Sequence, residues 1–562
     1  MASSKRWQLY NQAPQLAKNI SSALNVSTVV AQLLLNRGIT NLNHAKHFLE
    51  KNSFQAPYFD KSSLESCSKL IRDCITANKP ILLYGDYDVD GMTSIAIMYE
   101  ALLACQAKVH YVIPDRFEHG YGLHLSVIDT IKTYDVGLLI TLDCGVSNVA
   151  EITKIKATTH CPVIVFDHHQ LPDTLPPFNA MLNPKTLLDK HPASELCTAG
   201  IAYAFIHYFF STFYKNLDPC IFLDLVALGT IADVANLKGL NRTWTAIGLK
   251  ILAKRNRLGI DALLHCAEFK HSMVSVRDVG FVIAPRLNAG GRLASAQLGV
   301  QLLTAKDKQT AKRLAQKLEH LNLERRNIGQ NMLTEAIELA DKECAADKVT
   351  IVGKPDWHPG VIGITAARLV EHFSKPAILM SKHDDHWRGS ARSCGDIHLY
   401  KLLKQCQNHF ENFGGHKQAA GFTVKDHSLQ NFKTQLQVEA MKLDNKLFLP
   451  IIDIDMKLSF EQLTQTLAEE LTCLEPFGQG NPAPIFFCDE LITLAAKPVG
   501  NGQHIKATLK HMKSSFTIDA IGFYLSEKID IFYKQPLSII FQLSINKWQG
   551  KSLPQLEIID LK

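Results

Sequence analysis

The chain has 562 residues, of which 46% are hydrophobic and 20% charged, a balance that excludes a disordered protein and provides for several globular cores. A formal net charge of +6 permits a polyanionic partner but does not require one. The 13 cysteines form no Cys-x-x-Cys pair, which argues against a zinc ribbon or redox motif. The N-terminus lacks the apolar stretch of a signal peptide and no run is long enough to span a bilayer, so we expect a cytoplasmic protein.

Helix-spaced apolar residues predict a small helical region over residues 1–75. Short apolar runs then begin near residues 80, 108, 136 and 161, and this interval is typical of βαβ units. We therefore predict an α/β fold for residues 76–240, a parallel sheet with helices on both faces.

Acids and histidines follow these apolar runs. They are Asp86, Asp88 and Asp90 in GDYDVDG, Asp143 in TLDCG, the tripeptide Asp167-His168-His169, and Asp233 in LGTIADV. Ligands of parallel sheets bind beyond the carboxyl ends of the strands, so distant segments would bring these side chains to one edge. Carboxylates and imidazoles grouped in this way suit one or two hard divalent cations, which activate water and neutralise a phosphate under attack. The pattern predicts a metal-dependent phosphoesterase.

Simpler interpretations exist for each motif. An EF-hand is rejected because its twelfth position is Ile97 rather than Glu and because a strand precedes the loop. A solvated acidic turn fits poorly, since three carboxylates within five residues repel one another. If the backbone is extended, these three acids face the same side. Asp143 as a turn cap and Asp233 as an ordinary helix-end aspartate remain open alternatives.

The histidine pair has two possible roles. Neighbouring strand residues point in opposite directions. One imidazole can therefore bind metal while the other contacts a substrate phosphate or a carboxylate behind the metal site.

The second half of the chain contains weaker signals. Residues 241–303 are predicted to be a helical extension that ends in APRLNAGGRLASA, where glycine amides and the side chains of Arg286, Asn288 and Arg292 would contact phosphate. A basic surface loop is the alternative. One long connecting helix is predicted over residues 304–346. A helix of roughly 40 residues is about 60 Å long.

A second α/β lobe is predicted over residues 347–425. Its strands are DKVTIVGK and KPAILMSK, its helix is GVIGITAARLVEHF, and Ser390, Arg392 and His416 are candidate phosphate contacts. Residues 426–447 are predicted to be a helical linker. Several short strands with turn signals over residues 448–562 predict a small barrel of the OB type.

These motifs, in this order, resemble the DHH phosphoesterase superfamily, named for the tripeptide at Asp167. Over nearly the whole chain they resemble the RecJ family of single-stranded-DNA-specific 5′→3′ exonucleases. Further motifs that carry the resemblance are RFEHGYGL (116–123), WHPGVIGITAARL (357–369), GSARS (389–393), GGHKQAAGF (414–422) and LEPFGQGNPAPIF (474–486).

The resemblance implies a parallel-sheet DHH catalytic domain, a second α/β lobe joined to it by a long helix, and a C-terminal OB-like barrel. It implies two divalent ions, Mn²⁺ or Mg²⁺. Asp88 would bind one ion and Asp90 the other, Asp143 would bridge them, and His168 and Asp233 would complete the second site. His169 would contact the scissile phosphate or orient the site, and Asp143, His168 and His169 would form the catalytic set.

One departure from related proteins affects the first ion. Pyrophosphatase-like relatives carry a histidine at the position of Tyr84, and Asp86 is the candidate ligand that compensates for its loss. The expected partners are single-stranded DNA, single-strand-binding protein and a RecQ-type helicase, in DNA repair and recombination. The rival functions are a DHH phosphoesterase for short oligonucleotides, cyclic dinucleotides or pyrophosphate, and a non-catalytic DNA-binding scaffold.

Overall fold

The computed structural model describes residues 5–50, 59–116, 120, 122–188, 191–548 and 551–562. The chain divides into two compact units, one made of Met1–Tyr10 with Asn322–Ile454 and the other of Asn11–Leu321 with Asp455–Lys562. Within the described ranges, no helix combines the length and hydropathy needed to cross a membrane.

The N-terminal region is helical apart from one short strand. Its elements are β1 (Arg6–Leu9), α1 (Pro14–Leu24), α2 (Thr28–Asn36) and α3 (Leu42–Leu49). Ser27 caps α2 by accepting a hydrogen bond from the backbone N–H of Val30, and Asn41 caps α3.

The predicted parallel sheet is present in the larger unit. Its elements are α4 (Lys61–Thr76), β2 (Ile81–Gly85), α5 (Val89–Ala104), β3 (Val109–Val112), α6 (Val127–Thr133), β4 (Leu138–Leu142), α7 (Val149–Thr159), β5 (Val163–Phe166) and β6 (Ala180–Leu182). The strand order is β3-β2-β4-β5-β6, and every neighbouring pair is parallel. Strand β6 forms one edge of this sheet, and the apolar pattern did not predict this strand.

Alternate residues of each strand pack on opposite faces of this sheet, as the period of two requires. Ile81 and Leu83 join the core formed with α4, α5 and the following helices. Leu82 and Tyr84 join a separate core formed with α6 and α7. Helices therefore cover both faces, and the strand ends are left available for a polar site.

A run of helices follows the sheet in the same unit. They are α8 (Thr198–Phe213), α9 (Leu223–Ala232), α10 (Gly239–Ala253), α11 (Leu258–Cys266), α12 (Val276–Asp278), α13 (Ala284–Leu293) and α14 (Gln297–Leu303), with a π-helical stretch at Val279–Ile283. The Arg/Gly-rich segment is thus helix α13, and the alternative of a surface loop is wrong.

The predicted connecting helix is α15 (Lys308–Glu343), whose 36 residues extend over about 54 Å. Leu314 and Leu318 are buried in the core around the parallel sheet. The boundary between the two compact units falls within this helix, after Leu321.

The smaller unit contains the predicted second lobe. Its elements are β7 (Thr350–Lys354), α16 (Ile362–Phe373), β8 (Ala377–His383), β9 (His386–Arg392), α17 (Leu399–Lys404), β10 (Phe410–Gly415), β11 (Ala419–Lys425), α18 (Leu429–Met441) and β12 (Ile451–Ile454). One sheet has the order β10-β11-β9-β8-β7, and β12 pairs with β1. Helix α18, predicted as part of a linker, instead buries Phe432, Leu436 and Ala440 in this lobe's core.

The C-terminal region closes into a five-stranded barrel. Its elements are β13 (Met456–Lys457), α19 (Gln465–Leu471), β14 (Phe486–Val499), β15 (His504–His511), β16 (Thr517–Gly522), α20 (Ile529–Phe532), β17 (Leu537–Trp548) and β18 (Lys551–Leu561). The order β14-β15-β16-β18-β17 returns to β14, so each of the barrel strands described is paired on both sides. Helices α1–α3 share the barrel's apolar core, a long-range contact that the sequence did not predict.

Candidate metal centre

Three acids are placed side by side because three adjacent parallel strands end at the same level. Asp86 follows β2, Asp143 follows β4 and Asp167 follows β5. The backbone ladder continues past each strand: the N–H of Asp86 donates to the carbonyl of Leu142 at 3.2 Å, and that of Asp143 to Phe166 at 3.0 Å. This edge of the sheet is therefore the site that the βα pattern predicted.

One group of possible metal ligands consists of Asp86, Asp88 and Asp143, each of which offers a carboxylate oxygen within 4.8 Å of the others. Asp88 is the N-cap of α5, where its Oδ1 accepts from the N–H groups of Asp90 and Gly91. Asp86 is buried, and its Oδ1 has no hydrogen-bond partner among the described residues. A buried carboxylate oxygen without a donor is suited to a cation.

A second group consists of Asp90, His168 and Asp233. Asp90 lies in the first turn of α5, and its carboxylate accepts from the N–H groups of Thr198 at 2.7 Å and Ala199 at 2.9 Å, at the start of α8. Asp233 terminates α9, as the helix-end interpretation expects, and it also offers a carboxylate oxygen within 4.8 Å of ligand atoms of Asp90 and His168.

The two groups are joined by Asp143 and His168. Nε2 of His168 lies 3.3 Å from Oδ1 of Asp143, and Nδ1 of the same imidazole lies 3.8 Å from Oδ2 of Asp233. A third possible ligand set, Asp143 with His168 and His169, overlaps both. The three overlapping sets therefore form one continuous cluster, which offers ligands for more than one metal ion.

His169 is held in place by Asp167. Its Nδ1 lies 2.7 Å from Oδ1 of Asp167, while Oδ2 of the same carboxylate accepts from the N–H of Val146. Burial opposes the charge on both residues, yet their mutual hydrogen bond raises the pKa of His169 and lowers the pKa of Asp167. Asp167 thus orients an imidazole whose Nε2 is directed away from it.

The electrostatics of the cluster favour a divalent cation. Burial, and then repulsion from neighbouring carboxylates, raises the pKa of Asp86 and of Asp143 well above the usual range. The same two causes raise the pKa of Asp233 to about 8. Burial lowers the pKa of His168, which keeps its imidazole neutral, the form that binds metal. The donor set of carboxylates and imidazole fits Mn²⁺ or Mg²⁺.

One geometric premise of the sequence analysis is wrong. Asp86, Asp88 and Asp90 do not follow one extended strand, because β2 ends at Gly85 and α5 begins at Val89. The tight loop, rather than strand alternation, aims Asp88 and Asp90 at different ligand groups. Gly91 makes the loop possible, since a Cβ there would lie 2.4 Å from the carbonyl oxygen of Asp86.

Helix α13 corrects the prediction for the Arg/Gly-rich segment. Its glycines serve close packing rather than an amide cradle, because a Cβ at Gly291 would lie 2.6 Å from the carbonyl oxygen of Tyr87. The guanidinium of Arg286 is paired with Glu319 and also donates to the carbonyl of Val282. Asn288 and Arg292 are one helical turn apart, and Arg292 is close enough to lower the pKa of Tyr87 against the stronger raising effect of burial.

The remaining predicted phosphate contacts lie in the smaller unit. Ser390 and Arg392 share one face of β9, with Nη1 of Arg392 donating to Oγ of Ser390 at 3.1 Å. His416 follows β10, and its N–H donates to the carbonyl of Ala419, the residue that pairs with Arg392. The smaller unit thus brings these three predicted residues into one neighbourhood.

Sequence reasoning missed the residues that support the cluster from behind. Oγ1 of Thr198 donates to Oδ1 of Asp143 at 3.0 Å. A Cβ at Gly229 would lie 2.8 Å from Oδ1 of Asp90. Neither position has a local sequence signal, because each depends on how α8 and α9 pack against α5.

Family models match three stretches of the chain: the DHH family, N-terminal domain, over residues 80–230, the DHHA1 domain over 342–441 and the RecJ OB domain over 454–560. The single-stranded-DNA-specific exonuclease RecJ of Bacillus subtilis (strain 168) is 33% identical over 100% of this chain and 71% of its own length. The RecJ of Escherichia coli (strain K12) is 32% identical over 90% of this chain and 91% of its own length. The chain belongs to the RecJ family.

Solved RecJ structures agree with this assignment. The crystal structure of RecJ from Thermus thermophilus in complex with Mn²⁺ covers 100% of this chain and 80% of its own, with a TM-score of 0.86 and 27% sequence identity. A crystal structure of exonuclease RecJ bound to manganese covers 70% of this chain and 97% of its own, with a TM-score of 0.60 and 31% identity. The RecJ fold therefore extends over the whole chain, including the edge of the sheet where the acids meet.

Proposed function

We propose that this RecJ-family chain hydrolyses single-stranded DNA from its 5′ end and releases 5′-mononucleotides, using two divalent ions. The observation that carries the proposal is the joining of two ligand groups through Asp143 and His168, whose oxygen and nitrogen are 3.3 Å apart. A cluster in which two ligand groups meet at one acid and one imidazole is suited to a pair of ions acting on one phosphate.

The ligand assignment that we propose follows these groups. Asp86 and Asp88 hold the first ion, Asp90, His168 and Asp233 hold the second, and Asp143 bridges them. Tyr84 supports the role given to Asp86, since its hydroxyl is engaged on the other face of the sheet with the carbonyl of Gly122. When bound, such ions lower the pKa of water and stabilise charge on the attacked phosphate.

The surrounding side chains act on the substrate rather than on the ions. We propose that Nε2 of His169 contacts the scissile phosphate. Because Nδ1 is engaged with Asp167, Nε2 donates a hydrogen bond only when the imidazole is protonated; burial opposes that charge, but the hydrogen bond to Asp167 raises the pKa of His169. Asn288 and Arg292 on α13 are the proposed contacts to the next phosphates. Arg286 has a smaller part in this proposal than its sequence motif indicated, because Glu319 already neutralises it.

The smaller unit and the barrel provide the proposed strand selectivity. Ser390, Arg392 and His416 are the proposed contacts to the terminal nucleotide, since a guanidinium beside a hydroxyl can bind a phosphate through several hydrogen bonds. The closed C-terminal barrel is the type of domain that binds single strands by stacking and by charge. We include single-strand-binding protein, a RecQ-type helicase and a role in DNA repair and recombination in the proposal as family-based expectations.

The test uses purified protein, Mn²⁺ and single-stranded DNA labelled at either end. We expect mononucleotides to be released from 5′ ends only, and Asp143→Ala to lower the rate by well over ~10²-fold, because both ligand groups lose a shared acid. Asp129→Ala, which removes an exposed aspartate of α6 outside the cluster, is the matched control. Unchanged turnover in Asp143→Ala would refute the assignment.

The same assay separates the two rivals. A phosphoesterase for small substrates would cleave a dinucleotide faster than a long strand. A non-catalytic scaffold would bind DNA tightly with no Mn²⁺-dependent cleavage. The barrel argues against the first rival, and the complete set of acids and imidazoles argues against the second.

A further inference from the structure

A cavity of about 440 Å³ lies in the larger unit, where α3, the start of α10 and the turn at Gly480 meet. Its described lining contains five basic or imidazole side chains and no Asp or Glu; the five are Arg37, His44, His47, Lys238 and Arg242. None of these residues belongs to the acidic cluster. The volume is in the range of sites for small molecules.

The base of this cavity is a buried cation that no carboxylate neutralises within the described part of the chain. Arg242 is only 4% exposed, and its guanidinium donates to the backbone carbonyls of Phe48, Cys473 and Glu475. These acceptors are uncharged, and Nε of Arg242 has no partner among the described atoms. Burial lowers the pKa of Arg242 to about 10, because removing the charge from water disfavours it.

Arg37 provides a contrast within the same cavity. It lies 3.9 Å from Oδ1 of Asp455, and its Nε donates to Oδ1 of Asn481. The charge of Arg37 is thus compensated by a carboxylate, whereas the guanidinium of Arg242 meets only uncharged groups of the described residues, namely three carbonyls and the ring of Phe48, whose centroid is 3.6 Å away. A buried ion in the second condition is costly unless a counter-ion joins it.

The start of α10 adds a second positive feature to the same cavity. This 15-residue helix begins at Gly239, and no side chain in the described ranges caps its first turn. Both Lys238 and Gly239 line the cavity, so the positive end of the helix and a flexible ammonium group face the same space. Lys238, His44 and His47 are exposed, so these three side chains can adjust to a ligand.

We propose that this cavity binds a phosphomonoester, such as the phosphate of a 5′-mononucleotide. A phosphomonoester carries about −1.5 to −2 charges near neutral pH, which matches the charges of Arg242 and Lys238 together. The guanidinium provides the fixed contact, the start of α10 provides amide donors, and the exposed side chains close over the phosphate. The competing interpretation is that Arg242 only ties α3 to the segment at Cys473 and Glu475.

The experiment is isothermal titration calorimetry of the full chain in EDTA, with thymidine 5′-monophosphate, inorganic phosphate and thymidine as separate ligands. We expect the nucleotide and phosphate to bind and to compete, and thymidine not to bind. The nucleotide should bind the Asp143→Ala variant equally well, because the acidic cluster is not involved. Phosphate binding with much weaker nucleotide binding would support the same chemistry and identify the free anion as the ligand.

The variants locate the site. Lys238→Gln is expected to weaken nucleotide binding about tenfold, the effect of losing one charge-assisted contact, and His47→Gln by a smaller factor. Lys254→Gln, at the opposite end of α10, is the matched control and should change nothing. Because Arg242→Gln can unfold the protein, the deciding comparison is made with Lys238→Gln, which changes an exposed residue. Equal binding of thymidine and its monophosphate, or equal affinities of Lys238→Gln and Lys254→Gln, would overturn the proposal.

Discussion

Buried charge is arranged in two different ways within the larger unit. Around Arg257 the signs alternate: its guanidinium binds Asp224 at 2.7 Å and Glu100 at 3.0 Å, and Lys306 reaches the other oxygen of Glu100. Around Asp143 the charges are alike, and burial with mutual repulsion raises the pKa values of the carboxyls. The first cluster is neutralised by the protein itself, whereas the second requires a cation from outside.

This difference separates a structural cluster from a functional one. Although burial opposes its charge, the partners Asp224 and Glu100 raise the pKa of Arg257, so the folded state favours the ion pair. At the sheet edge, by contrast, burial and then repulsion from neighbouring carboxylates raise the pKa of Asp86 and of Asp143 well above the usual range. Buried carboxyls that repel one another occur where a bound ligand neutralises their charge. Carboxyls with strongly shifted pKa values are therefore found at functional sites.

The largest expected effect on stability comes from the neutralised cluster. Arg257→Met should lower the free energy of unfolding by about 3–5 kcal/mol, because Asp224 and Glu100 would stay buried without their counter-charge. Urea denaturation measures the loss. The matched control is Lys306→Met, which removes an exposed partner of the same Glu100 and should cost less than about 1 kcal/mol. Equal losses in the two variants would contradict the distinction between buried and exposed pairing.

The second prediction concerns metal removal from the acidic cluster around Asp143. Asp233 has a folded-state pKa of about 8, above its ordinary value of 3.8, so the metal-free folded protein holds a proton that the unfolded chain releases. The stability contributed by that proton is present at low pH and is lost as the pH rises toward about 8. Mg²⁺ at about 100 times its Kd should stabilise the protein by about 2.7 kcal/mol.

Thermal unfolding with Mg²⁺ or EDTA measures this contribution. The shift caused by Mg²⁺ should be larger near pH 8 than near pH 6, since fewer protons must be displaced. In Asp233→Asn both the shift and its pH dependence should shrink. A shift that is equal at both pH values would show that the carboxyls are already ionised without metal.

The smallest effect is expected at the loop that divides the acids between the two ligand groups. Gly91→Ala should cost about 1–3 kcal/mol, because the new Cβ collides with the carbonyl oxygen of Asp86 at 2.4 Å. It should also weaken Mg²⁺ binding, since Asp86 and Asp88 must shift. The control is Gly280→Ala in the same unit, where a Cβ meets none of the described atoms within 4 Å. If both variants bind Mg²⁺ like the original chain, the loop does not set the geometry of the site.

Much of the architecture was predictable because local patterns carry it. The regular spacing of apolar runs predicted β2 to β5, the amphipathic pattern predicted α15, and short strands with turns predicted the barrel. The meeting of three acids was also predictable, since Asp86, Asp143 and Asp167 directly follow adjacent strands that end at one edge of the parallel sheet.

Only the tertiary structure decided the rest. The family resemblance assigned Asp88 and Asp90 to different ions, but no periodicity described the loop that separates them. The packing of α8 and α9 against α5 set Thr198 and Gly229 behind the acids. The tertiary structure also paired Arg286 with Glu319, 33 residues away, and packed α1–α3 on the C-terminal barrel. Sequence determines which groups occur at strand and helix ends, because that is a local property. Which charges meet and neutralise one another depends on distances between segments that are remote in the chain, and these distances exist only after folding.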